Sequence, residues 1–210
     1  MEFVVIGGDA AGMSAASRAR RNRPDMNVTV LEMTLDVSYS ACGMPYNIAD
    51  PERSMDELVV RRAKVFRDKQ NIDLLVGHEV ESIDRKRRVV RGRMLDGAGF
   101  ERPYDKLLIA TGASPVVPDL PGFGLPGVVA LKSLEDGRRI KAFIDEKRVA
   151  RTVIVGMGYI ALEMAEALRT RGIDVDMVKP RPQFLPWLGK ELAGVVQEEV
   201  VSHGARAFPG

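Results

Sequence analysis

The stretch "EFVVIGGDAAGMSAASRARR" at residues 2–21 decides the fold. It begins with apolar residues typical of a buried strand, passes through the turn "GGDAAG" and ends in small residues at helical spacing. A second apolar strand, "NVTVLE" at residues 27–32, completes a strand–helix–strand unit. Because such a unit joins parallel strands, the sequence predicts an α/β fold built on a parallel sheet.

The same pattern occurs again later in the chain. A strand "TVIVG" at residues 152–156 runs into the turn "GMGYIA", and a helical stretch leads to the strand "DVDMV" at residues 174–178. Two such units predict two dinucleotide sites. The proline-containing segment at residues 113–126 lies between the units and predicts a domain boundary.

The residues between the two units contain further elements. We predict a charged helix from about Met55 to Gln70, a strand "DLLVG" at residues 73–77 and hairpin strands within residues 78–104. A buried strand, "DKLLIATG", then leads into the predicted boundary.

The charge composition of the 210 residues bears on which partners to expect. Thirty-one Lys and Arg residues against 29 Asp and Glu residues give a formal net charge of +2. This balance does not favour a nucleic-acid or membrane-surface partner. A single cysteine cannot form an internal disulfide, and the sequence contains no signal peptide or spanning segment, so we predict a cytoplasmic location.

The first glycine turn matches a dinucleotide-binding turn at its outer positions. Gly7 and Gly12 suit the sharp turn and the close helix–strand packing, whereas Asp9 stands where the middle glycine is usual. A carboxylate there is unfavourable beside a pyrophosphate unless its side chain points away. Glu32 ends the second strand, where a carboxylate can accept hydrogen bonds from ribose hydroxyls, and a turn made only for packing would leave it unexplained. The residues predicted to bind this adenine dinucleotide are Gly7, Gly8, Ala11, Gly12 and Glu32.

The second turn has Gly156, Gly158 and Ala161 at the three motif positions. Its second strand ends in Lys179, with Arg181 two residues later, and two cations there favour a 2′-phosphate and therefore NADPH over NADH. A solvated basic strand end is the alternative. The residues predicted to bind this cofactor are Gly156, Gly158, Tyr159, Ile160, Glu163, Lys179 and Arg181.

The two turns, the "ATG" at residues 110–112 and the lone Cys42 in "SYSACGMPYN" resemble the flavin-dependent pyridine nucleotide disulfide oxidoreductases over essentially the whole chain. Dithiol members of that family carry the pattern CxxxxC, but here Asn47 stands at the second cysteine position. The chain therefore resembles the single-cysteine branch, which includes coenzyme A disulfide reductases, persulfide reductases, and NADH oxidases and peroxidases. Oxidases and peroxidases carry a histidine in the first turn where this chain has Ala10, which favours the reductases, although Ala41 replaces the asparagine that is common before the cysteine.

The resemblance implies two Rossmann-like units of the glutathione reductase type, the second of them incomplete. It implies an FAD-binding domain at residues 1–112, a linker at 113–126 and an NAD(P)H-binding domain at 127–210, with Ala110, Thr111 and Gly112 facing the FAD. The implied cofactors are FAD with NADPH or NADH, and the implied full-length form is a homodimer. Because family members continue further, we interpret the chain as a fragment that holds FAD weakly and turns over poorly.

The resemblance also assigns catalysis to Cys42. Pro45 suits the first turn of a helix beginning near Met44, which would leave Cys42 at its positive end, and no metal site is predicted. Electrons would pass from the nicotinamide through FAD to a mixed disulfide or persulfide on Cys42, with coenzyme A or another small thiol as the partner. A peroxidase that uses a sulfenic acid and a non-catalytic nucleotide-binding fragment remain alternatives. The residues proposed to bind the phosphates and substrate are Arg18, Arg21, Ser38, Tyr39, Arg61 and Arg62.

Overall fold

The computed structural model describes residues 1–179 and 184–209 and divides into two compact units. The first unit comprises Met1–Ser40 with Leu58–Ser114, and the second comprises Ala41–Glu57 with Pro115–Gly210. The segment that carries the cysteine thus groups with the second unit by its contacts. The domain limits expected from the sequence stay a prediction.

The first unit contains a parallel sheet of four strands among the described residues: β1 (Glu2–Ile6), β2 (Asn27–Glu32), β3 (Asp73–Val76) and β7 (Lys106–Ile109). Their order in the sheet is β3-β2-β1-β7. In register, Val4 of β1 lies opposite Thr29 of β2 on one side and Leu107 of β7 on the other. Parallel strands end at the same edge, so the loops that follow β1, β2 and β7 are brought together there. The elements of this unit are β1 (Glu2–Ile6), α1 (Ala10–Asn22), β2 (Asn27–Glu32), α3 (Ala63–Gln70), β3 (Asp73–Val76), β4 (His78–Asp84), β5 (Val89–Met94), β6 (Gly99–Pro103) and β7 (Lys106–Ile109).

The two faces of this sheet bury different partners. On one face Val5 and Val30 pack with Met13 and Ala16 of α1. On the other face Val4, Ile6 and Leu31 pack with Val90, which belongs to the antiparallel meander β4-β5-β6. This alternation of neighbouring residues between the faces is what the two-residue period of a strand requires.

The second unit contains, in its described part, a parallel sheet of the strands β8 (Arg151–Val155), β9 (Asp174–Lys179) and β10 (Arg206–Pro209), in the order β10-β9-β8. Asp176 in the central strand lies opposite Val153 of β8 and Arg206 of β10. Ser133 and Asp136 form a reciprocal capping box at the start of α4, so this helix has a defined first turn. The elements are α2 (Met44–Ala49), α4 (Leu134–Lys147), β8 (Arg151–Val155), α5 (Tyr159–Thr170), β9 (Asp174–Lys179), α6 (Lys190–Ser202) and β10 (Arg206–Pro209).

The predicted helix from Met55 to Gln70 is wrong in its extent. A short 3-10 turn spans Met55–Leu58, and α3 begins only at Ala63. In between, the backbone N–H groups of Val60 and Arg61 donate to the carbonyl oxygen of Ser38. These groups are therefore paired outside a helix, which breaks the predicted element in two.

The predicted fold class, α/β with two strand–helix–strand units, is confirmed. The predicted hairpin strands also form, as the antiparallel meander. Among the described residues, no helix combines the length and apolar character needed to cross a bilayer.

Candidate functional site

The first glycine turn follows β1 and is built so tightly that side chains do not fit. Gly7 has a φ of +110°, and a Cβ added to it would lie 2.3 Å from the carbonyl oxygen of Ala110. A Cβ on Gly12 would lie 1.9 Å from the carbonyl oxygen of Gly7. Both glycines are therefore required for the strand to pass directly into α1, whose first N–H groups lack intrahelical acceptors.

Glu32, at the end of β2, is joined to this turn by hydrogen bonds. Its Oε2 accepts the backbone N–H of Gly8 at 2.7 Å, and its Oε1 accepts the N–H and hydroxyl of Thr34, each at 2.7 Å. A carboxylate has about four acceptor positions, so these bonds leave room for one ribose hydroxyl at Oε2. Thr34 is a partner that sequence reasoning missed, and only its position two residues after the acid would have indicated it.

Asp9, at the middle position of the first turn, accepts a hydrogen bond from the loop that follows β2. Its Oδ1 accepts the backbone N–H of Tyr39 at 3.2 Å, so this carboxylate is engaged by the neighbouring loop. Ser38, which has a φ of 51°, donates its N–H to the carbonyl oxygen of Gly8 at 3.0 Å. Two of the predicted substrate residues, Ser38 and Tyr39, thus lie directly against the glycine turn.

The end of β7 completes the first site. Ala110 donates its N–H to the carbonyl oxygen of Ile6 at 2.8 Å and is half-buried beside Gly7. Thr111 is exposed, and Gly112 has a φ of 70° that suits glycine. Ala11 is exposed in the first turn of α1. Small residues, helix N–H groups and an acid at the next strand end fit an adenine dinucleotide such as FAD.

The second turn follows β8 and, unlike the first turn, has open space around one of its glycines. Gly156 has a φ of +134° and donates its N–H to the carbonyl oxygen of Val178 at 2.9 Å. A Cβ on Gly158 would meet no heavy atom within 4 Å among the described residues. Among the described residues this glycine therefore leaves open space beside the start of α5, as a pyrophosphate site at a helix N-terminus requires.

The two residues that begin α5, directly after the second turn, are exposed to solvent. Tyr159 and Ile160 are each 60% exposed, and Glu163 is half-buried further along α5. The ring of Trp187 lies 5.2 Å from the ring of Tyr159, and its Nε1 donates to the Tyr159 hydroxyl at 3.3 Å. Sequence reasoning missed Trp187, although it is the sole tryptophan of the chain.

The structure describes one of the two cations predicted to select NADPH. Lys179 is half-buried and is the last residue of β9. It follows Val178, whose carbonyl oxygen accepts the N–H of Gly156 in the second turn. Arg181 lies outside the described residues. The preference for NADPH stays a prediction.

Cys42 lies in the 3-10 turn Ala41–Gly43, directly before α2, and its side chain is exposed. Pro45 occupies the first turn of α2, which begins at Met44 as expected. Asn47, at the position of the second cysteine in dithiol members, is fully buried and donates its Nδ2 to the carbonyl oxygen of Ser54 at 2.9 Å.

The arginines proposed to bind substrate lie in two places. Arg18 and Arg21 are exposed on α1, three residues apart and thus on one helix face. Arg61 donates its N–H to Ser38, and its guanidinium lies 5.4 Å from the ring centroid of the buried Phe66. Arg62 is the exposed N-cap of α3. The structure therefore brings the backbone of Arg61 to Ser38, while the contact of its guanidinium with Phe66 also accounts for the position of the side chain.

A family model described as pyridine nucleotide-disulphide oxidoreductase matches residues 1–207. The chain belongs to this family. FAD together with NADH or NADPH serves the family as cofactors, in agreement with the sequence prediction. The recognition from two glycine turns and one cysteine is thereby confirmed.

Named relatives in the family point to related activities. The chain is 36% identical over 209 residues to an NADH oxidase of Methanocaldococcus jannaschii, covering 99% of this chain and 47% of that protein. It is 39% identical over 205 residues to an NAD(P)H sulfur oxidoreductase (CoA-dependent) of Pyrococcus furiosus, covering 96% and 45%. The structure of an NAD-dependent persulfide reductase from A. fulgidus matches with a TM-score of 0.94 at 36% identity, covering 100% and 40%. The chain thus spans less than half the length of these relatives.

Proposed function

We propose that the chain forms part of an enzyme that uses NADPH or NADH to reduce the disulfide or persulfide of a small thiol, with coenzyme A disulfide or coenzyme A persulfide as the substrate class. One observation carries the proposal: Cys42 is exposed, and Asn47, at the position of the second cysteine in dithiol members, is buried. Because the 210 residues contain no other cysteine, no internal disulfide can form in them. A disulfide of Cys42 within this scheme therefore takes its second sulfur from a substrate.

The reaction balances with one cysteine. The Cys42 thiolate attacks one sulfur of R–S–S–R, the S–S bond breaks, a thiolate RS⁻ leaves and Cys42–S–S–R forms. Two electrons from NAD(P)H then break this mixed disulfide, and protons complete a second RSH and restore Cys42. Bound FAD supplies the chemistry that accepts a hydride and delivers two electrons to sulfur. The net change converts one disulfide and NAD(P)H with one proton into two thiols and NAD(P)⁺.

The chain's own residues have separate roles in this proposal. The first turn and Glu32 hold the adenine dinucleotide, and the open second turn at Gly158 holds the pyrophosphate of NAD(P)H. Arg18, Arg21 and Arg61 supply cations that suit the phosphates of coenzyme A. The exposure of Cys42 lets a substrate sulfur reach it. A homodimer and a cytoplasmic location belong to the same proposal.

The names of two relatives support the substrate class. The Pyrococcus furiosus protein is named as a CoA-dependent sulfur oxidoreductase, and the A. fulgidus structure as a persulfide reductase. A second candidate function, NADH oxidase, is favoured by the name of the Methanocaldococcus jannaschii relative. Ala10 argues against it, because an alanine at this turn position cannot take part in proton transfer.

The test measures the mass of the intact, unreduced chain after exposure to coenzyme A disulfide without oxygen, and then NAD(P)H oxidation with the same substrate. We expect one coenzyme A adduct on the chain, which is absent in Cys42→Ser and is removed slowly after NAD(P)H is added with excess FAD, because the chain is expected to hold FAD weakly. A matched control combines Cys42→Ser with Ser40→Cys, which keeps one exposed thiol but moves it by two residues. Addition of one oxygen at Cys42 with peroxide turnover would overturn the proposal in favour of the oxidase.

A further inference from the structure

Lys141 of α4 is a buried lysine whose ammonium group binds the end of the cysteine-bearing segment. Its exposed fraction is 9%. The Nζ donates to the carbonyl oxygens of Asn47, Asp50 and Arg53 at 3.0, 2.7 and 2.5 Å. It also lies 3.2 Å from Oδ1 of Asn47. All four acceptors belong to α2 or to the loop that follows it.

Burial of a charged lysine destabilises the folded state unless hydrogen-bond acceptors compensate for the lost hydration. Burial lowers the pKa of Lys141, and the positive charge of Arg171 lowers it further. The ammonium has three donors and meets four oxygens, so every donor has an acceptor. Removal of such a buried cation destabilises the folded state, because the oxygens that it binds lose a hydrogen-bond donor.

The oxygens need this partner because α2 is short. The helix has six residues, and a helix of this length is not stable by its own propensity. Near its end, the carbonyl oxygen of Asn47 accepts the N–H of the C-cap Asp50 at 3.3 Å, a long bond that leaves room for a second donor. Lys141 supplies a donor to Asn47, and the Nη1 of Arg171 lies 3.5 Å from the carbonyl oxygen of Ile48. Two cations thus cap the negative end of the helix.

Asn47 connects these contacts to one another. Its side chain is fully buried, with Oδ1 toward Lys141 and Nδ2 donating to the carbonyl oxygen of Ser54. The amide therefore ties the loop at residues 50–54 to both α2 and α4. The residue that replaces the second cysteine is a structural link in this unit.

We propose that Lys141 is a positioning residue for Cys42. Cys42 lies in the turn Ala41–Gly43, and Gly43, the N-cap of α2 with αR backbone angles, is the one residue between the cysteine and the helix. Fixing the end of α2 therefore fixes the turn that presents the thiol. The role assigned to Lys141 rests on the proposed function only in taking Cys42 as the reactive group.

The test compares the chain with Lys141→Met and a matched control, Lys147→Met, an exposed lysine on the same helix. Amide hydrogen exchange is measured in the second unit. In Lys141→Met we expect residues 41–54 to exchange about tenfold faster or more, as the loss of a charge-assisted hydrogen bond produces, while β8 and β9 keep their rates. Unchanged exchange at residues 41–54 would overturn the proposal, and so would an equal rise throughout the unit. If Lys141→Met does not fold, Lys141→Gln, which keeps an amide donor, is judged by the same criteria.

A second readout separates positioning from general support. We expect the rate of Cys42 with coenzyme A disulfide to fall about tenfold in Lys141→Met, with the affinity for NAD(P)H unchanged and partial recovery in Lys141→Arg. A full rate in Lys141→Met would overturn the proposal. If the wild-type chain does not react with coenzyme A disulfide but Lys141→Met still exchanges faster at residues 41–54, the result contradicts the proposed substrate. The positioning role would then still stand.

Discussion

The carboxylate of Glu32 and the backbone N–H of Gly8 are joined by a hydrogen bond of 2.7 Å, which ties the end of β2 to the turn after β1. The other carboxylate oxygen binds Thr34 twice. The acid is thus held in place by the protein before any ligand binds. Pre-organised acceptors lose less entropy when they bind a ribose hydroxyl.

Glu32→Gln should weaken FAD binding about tenfold, the effect of losing hydrogen bonds to a charged acceptor. The amide nitrogen of glutamine cannot accept a hydrogen bond, so it would face an N–H donor of Gly8 or Thr34. FAD titration followed by flavin fluorescence gives the dissociation constant of each protein. Glu81→Gln, at an exposed position on β4, is the control. Equal affinities in all three proteins would rule out a role for Glu32.

Substitution of the glycines should separate folding from ligand binding. Gly12→Ala places a methyl group 1.9 Å from the carbonyl oxygen of Gly7 and should cost about 3 kcal/mol of stability. Gly158→Ala places it in space that is open among the described residues and should change stability by less than about 0.5 kcal/mol. It should nevertheless weaken NAD(P)H binding. Urea unfolding and calorimetric titration measure the two effects, and the reverse ranking in stability would contradict the packing argument.

Asp176 should make the second unit sensitive to acid. Hydrogen bonds from Arg151 and Arg206, with shortest distances of 2.6 Å each, lower the pKa of this carboxyl. Because the folded state favours the carboxylate, this contribution is complete above the ordinary pKa of 3.8. It is lost as the pH falls through the lower folded-state pKa. Fluorescence of Trp187 reports unfolding of this unit during an acid titration.

Asp176→Asn should therefore be less stable than the wild type at pH 7 and should lose less stability on acidification. The two curves should converge as the pH falls below 4. Asp174→Asn, in which the replaced side chain is exposed on the same strand, is the control. Parallel curves for wild type and Asp176→Asn would show that Asp176 does not cause the acid sensitivity.

Lys179→Ser should reduce the affinity for NADPH about tenfold and that for NADH much less, if the ammonium pairs with the 2′-phosphate. Calorimetric titration of both nucleotides gives the ratio of affinities. Lys147→Ser, at an exposed site on α4, controls for the loss of one positive charge. An unchanged ratio in Lys179→Ser would assign the strand end to NADH or to solvent.

The parallel strands could be predicted because their signals are local. β2 spans Asn27–Glu32 and β1 spans Glu2–Ile6, the ranges that the apolar runs indicate. The glycine turns were also visible, since Gly7 and Gly156 adopt positive φ values that only a few residue types accept. Periodicity and turn chemistry together therefore fix the two strand–helix–strand units.

The remaining features depend on residues far apart in sequence. The charged stretch after Met55 has a helical composition, but Ser38 takes the N–H groups of Val60 and Arg61 and interrupts it. Lys141 contacts Asn47 across 94 residues, and no local pattern distinguishes it from the exposed lysines. Tertiary hydrogen bonds decided both cases, and composition does not encode them.

The buried contacts of the Asn47 side chain restrict how this chain could change over evolution. Asn47→Cys would recreate the spacing of a two-thiol enzyme in one step, but the thiol would remove the Oδ1 acceptor and the Nδ2 donor. The buried ammonium would then lose a partner in the segment that presents Cys42. Lys141 would keep the backbone carbonyl oxygens of Asn47, Asp50 and Arg53, so a path to two-thiol chemistry has to compensate mainly for the lost hydrogen bond from position 47 to Ser54.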